Sequence, residues 1–147
     1  MTPLNELMAR GKRAISPRVV AMMQQQAVEL LMGAQNADGS WPLVTTASFA
    51  VDERQRKLSI TTTARGTEQQ CVAAYGSALS MMLATGAGST TRLQSIASDC
   101  VTGRITTLQQ LHHALERRVI STVFTILIVV LLLSLLVLWL LNSGAVR

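Results

Sequence analysis

Few side chains in this chain of 147 residues have the types or spacing for chemistry, and His112 and His113 are the first to test. Imidazoles are common metal ligands, but adjacent helical residues point about 100° apart, so the pair does not converge on one ion. A third ligand would have to come from Asp99 or Cys100, and no ligand spacing joins them to the histidines. The two rings therefore read as helix-surface groups, with a pH response as the only chemistry left to them. Cys71 stands at a predicted helix start, where a thiol pKa can fall far enough to make a nucleophile. It also adjoins the apolar side of that helix, and no GxSxG, HExxH, CxxC or P-loop pattern supplies it with partners. Cys71 and Cys100 thus read as reduced packing residues. Asp52 and Glu53 lie beside Arg54 and Arg56, a mixture of charge that suits a solvated turn better than a catalytic carboxylate pair. No catalytic residue, metal or cofactor is expected.

The elements that would carry these residues follow from pattern. Residues 1–15 contain a short amphipathic turn (Leu4, Leu7, Met8) among basic neighbours, and are expected to be a flexible, solvated leader. Ser16-Pro17 is a helix start, Ser as N-cap and Pro at the first helical position. Val20, Met23, Ala27, Leu30, Leu31 and Ala34 then give one apolar face, and Asn36–Gly39 ends the helix. A β-hairpin is predicted over Leu43–Val51 and Lys57–Ala64, with Arg54 and Arg56 at its tip. Odd positions form the apolar face of its first strand and even positions that of the second. Its open edges would invite another chain. Thr67-x-x-Gln70 is a capping box, followed by Val72, Tyr75, Leu79, Met82 and Leu83 on a buried face. Gly76 weakens that helix, and Gly86 suits its C-terminus. A short helix with Leu93, Ile96, Ala97, Cys100 and Val101 inside ends at Gly103. A second capping box, Thr107-x-x-Gln110, opens a helix of about 34 residues that continues without a breaker into Val119–Leu141.

Those last 23 residues have no charge, Pro or Gly, and reach about 34 Å at 1.5 Å per residue. A hydrocarbon core is about 30 Å thick, so the segment is expected to span a membrane. Arg117 and Arg118 abut its N-terminal end and only Arg147 follows it, so the positive-inside rule places the N-terminal part in the cytoplasm. Trp139 suits the far interface as an aromatic anchor. The arrangement resembles that of tail-anchored proteins, a topological class. With no GxxxG track and no ionisable group, the helix reads as a plain tether.

The resulting fold class is α+β: a small helical domain with one hairpin, then a long juxtamembrane helix continuous with a single C-terminal transmembrane helix. The expected divisions are a leader 1–15, a cytoplasmic domain 16–106, a juxtamembrane helix 107–118, the span 119–141 and a short extracytoplasmic tail 142–147. Eleven Arg and two Lys against eight acids give a net charge of +5, which suits anionic lipid or an acidic partner. Scattered bases and scarce aromatic faces argue against nucleic acid. The sequence is therefore read as a non-catalytic, membrane-anchored interaction protein. It would be an accessory or assembly subunit of a bacterial inner-membrane envelope complex for secretion, conjugation or pilus assembly. The bacterial assignment follows from Ala richness and the excess of Arg over Lys. Its partners would be the lipid bilayer and a protein of that complex, touched through Arg54 and Arg56, and a homo-oligomer is compatible. The alternatives are a membrane-tethered enzyme or thiol-redox factor using Cys71, and a eukaryotic tail-anchored tether.

Overall fold

The structure, a computed structural model, describes residues 1–11, 15–85 and 91–145, with the side chains of residues 117–122 and 145 outside that description. The chain is α+β and divides into two compact units, Met1–Leu115 and Glu116–Arg147.

In the first unit, β1 (Thr2–Pro3) and α1 (Leu4–Ala9) precede α2 (Pro17–Met32). The short strand β2 (Trp41–Pro42) and a 3-10 turn (Thr46–Ser48) lead to β3 (Phe49–Asp52), β4 (Lys57–Ile60) and β5 (Arg65–Gly66). Helices α3 (Glu68–Ala84) and α4 (Thr91–Thr102) follow, and α5 (Leu108–Ala145) begins in this unit. One antiparallel sheet has the order β1-β3-β4, and β2 pairs with β5 in a second, two-stranded ribbon.

The local signals at helix ends operate as expected. Ser16 caps α2 through Val19, and Thr67 and Gln70 exchange both bonds of a capping box at the start of α3. Gly103, at φ +86, follows α4 in a Schellman arrangement, with the Arg104 amide donating to the Asp99 carbonyl at 2.9 Å. Gly86 lies outside the described residues. At α5, Thr107 accepts from the Gln110 amide, but the Gln110 side chain reaches the amide of Thr106 rather than Thr107. Glu68 from the first turn of α3 accepts from the Leu108 amide at 2.9 Å, which supplies a cap from a distant element.

Several expectations are corrected. Residues 2–9 are not a solvated leader. Leu4 and Leu7 share a face of α1 and are buried, and β1 pairs along β3 through Thr2–Val51 and Pro3–Ala50. Proline is tolerated there because it occupies an edge strand. Helix α2 ends at Met32, before the expected turn, because Gly33 forms its C-cap. Leu30 is 39% exposed, and Val19, Met22 and Val28 are buried as well as the expected positions Val20, Met23, Ala27 and Leu31. The hairpin is shorter than expected, with Phe49 opposite Ile60 and Val51 opposite Leu58. Upstream, Val44, Thr46 and Ser48 are the buried positions, so even residues face inward before the 3-10 turn and odd residues after it. A one-residue slip exchanges the faces of a strand, and this turn provides it. Val101 is half exposed, not buried.

Gly76 is a packing position. A Cβ built there would lie 2.5 Å from Cys100 Cβ and 2.9 Å from the Ala97 carbonyl, so α3 and α4 cross against bare backbone. Tyr75, fully buried, donates its hydroxyl to the Met23 carbonyl at 2.7 Å and joins α3 to α2. Leu108 and Leu111 of α5 are buried in the same core. The first two turns of α5 thus belong to the first unit and are not a separate juxtamembrane segment.

In the second unit, α5 continues to Ala145, so most of the expected tail is helical. Residues Val123–Gly144 make one helix long and apolar enough to cross a membrane.

Candidate functional site

Cys71 and Cys100 are both buried free thiols on α3 and α4. Burial pushes Cys71 up to about 11, with the nearby Glu68 carboxylate adding to the effect, and pushes Cys100 up to about 12. Both are protonated at neutral pH, which is the opposite of the lowered pKa a nucleophilic thiol needs. His112 is half-buried and His113 exposed, with ring centroids 6.3 Å apart and planes tilted by 53°. Among the described residues no three His, Cys, Asp or Glu side chains gather as metal ligands.

The hairpin tip is built by a local device. Asp52 Oδ1 accepts from the amides of Arg54 and Gln55 at 3.1 and 3.2 Å, which closes the turn. Arg56 completes it at φ +50, a left-handed conformation that costs a residue with a side chain about 1–2 kcal/mol. Arg54 and Arg56 both point their charge into solvent. Arg54 also lines a shallow cleft with Arg10, Leu7 and Val51, so α1 contributes a second cation next to the tip. Asp52 and Glu53 border the same cleft, and its charge is mixed.

The edge of the hairpin is not open. Gln26 of α2 accepts from the Leu58 amide at 3.0 Å and donates to the Arg56 carbonyl at 2.8 Å, and so takes two backbone groups that another strand would use. The opposite edge, on β3, is covered by β1. Part of each hairpin edge is therefore occupied within the chain, and the tip residues Glu53–Lys57 are exposed.

A second cation serves structure. Arg65 donates from Nε to Ser40 Oγ at 2.9 Å and from Nη2 to the carbonyls of Ala34 and Ser40, at 2.7 and 3.0 Å. Asp38 accepts from the Ser40 amide and hydroxyl, and these bonds hold its carboxyl below the usual range, with Arg65 contributing. This cluster pins the end of α2 to β5. Neither Gln26 nor Arg65 was singled out from the sequence, because each acts on a backbone 25 or more residues away.

In the apolar helix, every large side chain from Val123 to Leu141 is exposed, including Trp139 at 66%. Ser134 donates to the Val130 carbonyl at 2.9 Å, which satisfies its hydroxyl within the helix. The side chains of Arg117 and Arg118 lie outside the described residues. No protein-family model, curated protein or solved structure matches the chain.

Proposed function

We propose that this chain is a non-catalytic interaction protein anchored by its C-terminal helix, with residues 1–115 held at a membrane surface to engage a protein partner. The observation that carries this reading is the exposed apolar surface of Val123–Leu141, in a chain whose first unit has a core of its own. Leaving the seventeen large apolar side chains between Val123 and Leu141 in water is costly at about 25 cal/mol per Å², and a lipid environment removes that cost. The charge asymmetry of Arg117 and Arg118 against Arg147 supports a cytoplasmic first unit, with Trp139 at the opposite interface. The excess of Arg over Lys supports a bacterial inner membrane, and an accessory or assembly subunit of an envelope complex fits a small unit with a projecting basic tip. The raised thiol pKa values speak against the redox alternative.

Anchoring raises local concentration, and confinement to one membrane adds a factor of about 10²–10⁴ in apparent affinity without a new contact. Replacing residues 119–141 with an unrelated Leu/Ala helix, while keeping Arg117, Arg118 and the tail, should preserve partner co-purification and biological activity. Loss of both at unchanged protein level and orientation would mean that the helix makes specific intramembrane contacts, and the tether reading would fall.

A further inference from the structure

Asp38-Gly39 is the only place in the chain where glycine follows an Asp or Asn, and the pair has a chemistry of its own. The amide nitrogen after an Asp can attack the side-chain Cγ, and glycine, lacking a Cβ, hinders that approach least. The new bond joins Gly39 N to Asp38 Cγ, and the carboxyl hydroxyl leaves as water with the amide proton. Water then reopens the five-membered imide. Cleavage of the bond to the former backbone carbonyl leaves the main chain running through the side chain, as isoaspartate. No reagent besides water is needed. Both residues are exposed, and the space beside Gly39, at φ +83, is open. The bonds of the turn oppose closure of the ring. The Gly39 amide donates to the Asn36 carbonyl at 3.0 Å, which occupies the proton that must leave. Asp38 Oδ1 accepts from the Ser40 amide at 3.0 Å and the Ser40 hydroxyl at 2.7 Å. These bonds hold the carboxyl in its ionised form, whereas the neutral acid is the form that loses water. Ser40 is itself fixed, because its Oγ and carbonyl accept from Arg65 at 2.9 and 3.0 Å.

We infer that Asp38 is the isoaspartate-forming site of this chain, and that Arg65, acting through Ser40, sets how slowly it reacts. The modification has a structural consequence. It adds a methylene to the main chain and moves the carboxylate to the α-carbon, so Ser40 loses its acceptor. The cluster that joins the end of α2 to β5, which includes the Arg65 bond to the Ala34 carbonyl, then loosens. All of these groups lie in the first unit, and the inference holds whether or not the chain is anchored in a membrane.

The test ages the full chain, purified in mild detergent, in warm neutral buffer beside a synthetic peptide of residues 33–43. Digestion and mass spectrometry with electron-transfer fragmentation then separate isoaspartate from aspartate at position 38. The folded chain should convert several-fold more slowly than the peptide, and position 38 should convert before any other Asp. Ser40→Ala should speed conversion about fivefold, the weight of one exposed hydrogen bond, with the helical circular dichroism unchanged. Arg65→Gln should speed it in the same direction, although it touches neither reacting residue. In the converted fraction, hydrogen exchange at the Ser40 amide should be faster. Conversion in the folded chain as fast as in the peptide would overturn the inference. So would a Ser40→Ala variant that reacts at the parent rate, or isoaspartate that gathers first at another Asp.

Discussion

Gln26 and Leu58 are 32 residues apart, yet the Gln26 carboxamide sits on the Leu58 amide and the Arg56 carbonyl as a neighbouring strand would. One side chain of α2 thereby closes the outer edge of β4. Gln26→Leu should lower stability by about 1 kcal/mol, because it leaves the part-buried Leu58 amide without its partner. It should also speed hydrogen exchange at the Leu58 amide and promote self-association through the exposed edge. Unchanged exchange at Leu58 would show that the amide is protected by something else.

Gly76 sets two effects of opposite sign against each other. Alanine gains about 1 kcal/mol in helix propensity over glycine. Its Cβ would, however, press on Cys100 and the Ala97 carbonyl, and overpacking of this kind costs about 1–3 kcal/mol. Urea unfolding of Gly76→Ala should therefore show a net loss of stability. A gain would mean that α3 and α4 can separate freely.

The buried thiols predict a dependence on alkaline pH. Their folded pKa values, about 11 for Cys71 and about 12 for Cys100, lie above the ordinary 9.0, so the folded state holds their protons longer than the unfolded chain does. Their contribution to stability is complete below pH 9 and is lost as pH rises through 11 to 12. Replacing both with alanine should flatten this decline between pH 9 and 11, where Tyr75, also raised by burial, adds its own part above 10. Neither substitution should abolish activity where the protein still accumulates. Complete loss in Cys71→Ser at normal protein level would restore a redox role.

At the hairpin tip, charge can be removed without disturbing the turn. Arg56 adopts a left-handed conformation that glycine takes without strain, so Arg56→Gly should maintain or raise stability while the Gln26 bond to its carbonyl persists. Combined with Arg54→Glu, it should weaken partner co-purification in pull-down from detergent extracts. Undiminished capture would exclude the tip as the contact.

What the sequence made legible was local or compositional. The caps at Ser16, Thr67 and Gly103 depend on neighbours within a few residues, and the helix long and apolar enough to cross a membrane declares itself by a run without charge, Pro or Gly. Nonlocal devices were hidden. A two-residue strand such as Thr2–Pro3 has no period to detect, and its existence depends on Val51 and Ala50 being in reach. The face switch at Thr46–Ser48 arises because Thr45 and Ser48 bond to each other, which alternation of residue types does not report. Gly76 looked like a weak helix position because only the approach of Cys100 gives it meaning. Of the surface residues singled out, Arg54 and Arg56 are placed by the turn that Asp52 closes, whereas their neighbour across the cleft, Arg10, belonged to a segment with no expected fold.

The central claim, a C-terminal membrane anchor with the first unit in the cytoplasm, is tested most directly by thiol labelling in intact cells. A cysteine introduced at Ala145 should react with a membrane-impermeant reagent added outside, and one introduced at the exposed Gln25 should react only after the membrane is permeabilised. Labelling at Gln25 but not at Ala145 in intact cells would reverse the orientation, and labelling of neither until cells are lysed, with the protein in the soluble fraction, would contradict anchoring altogether.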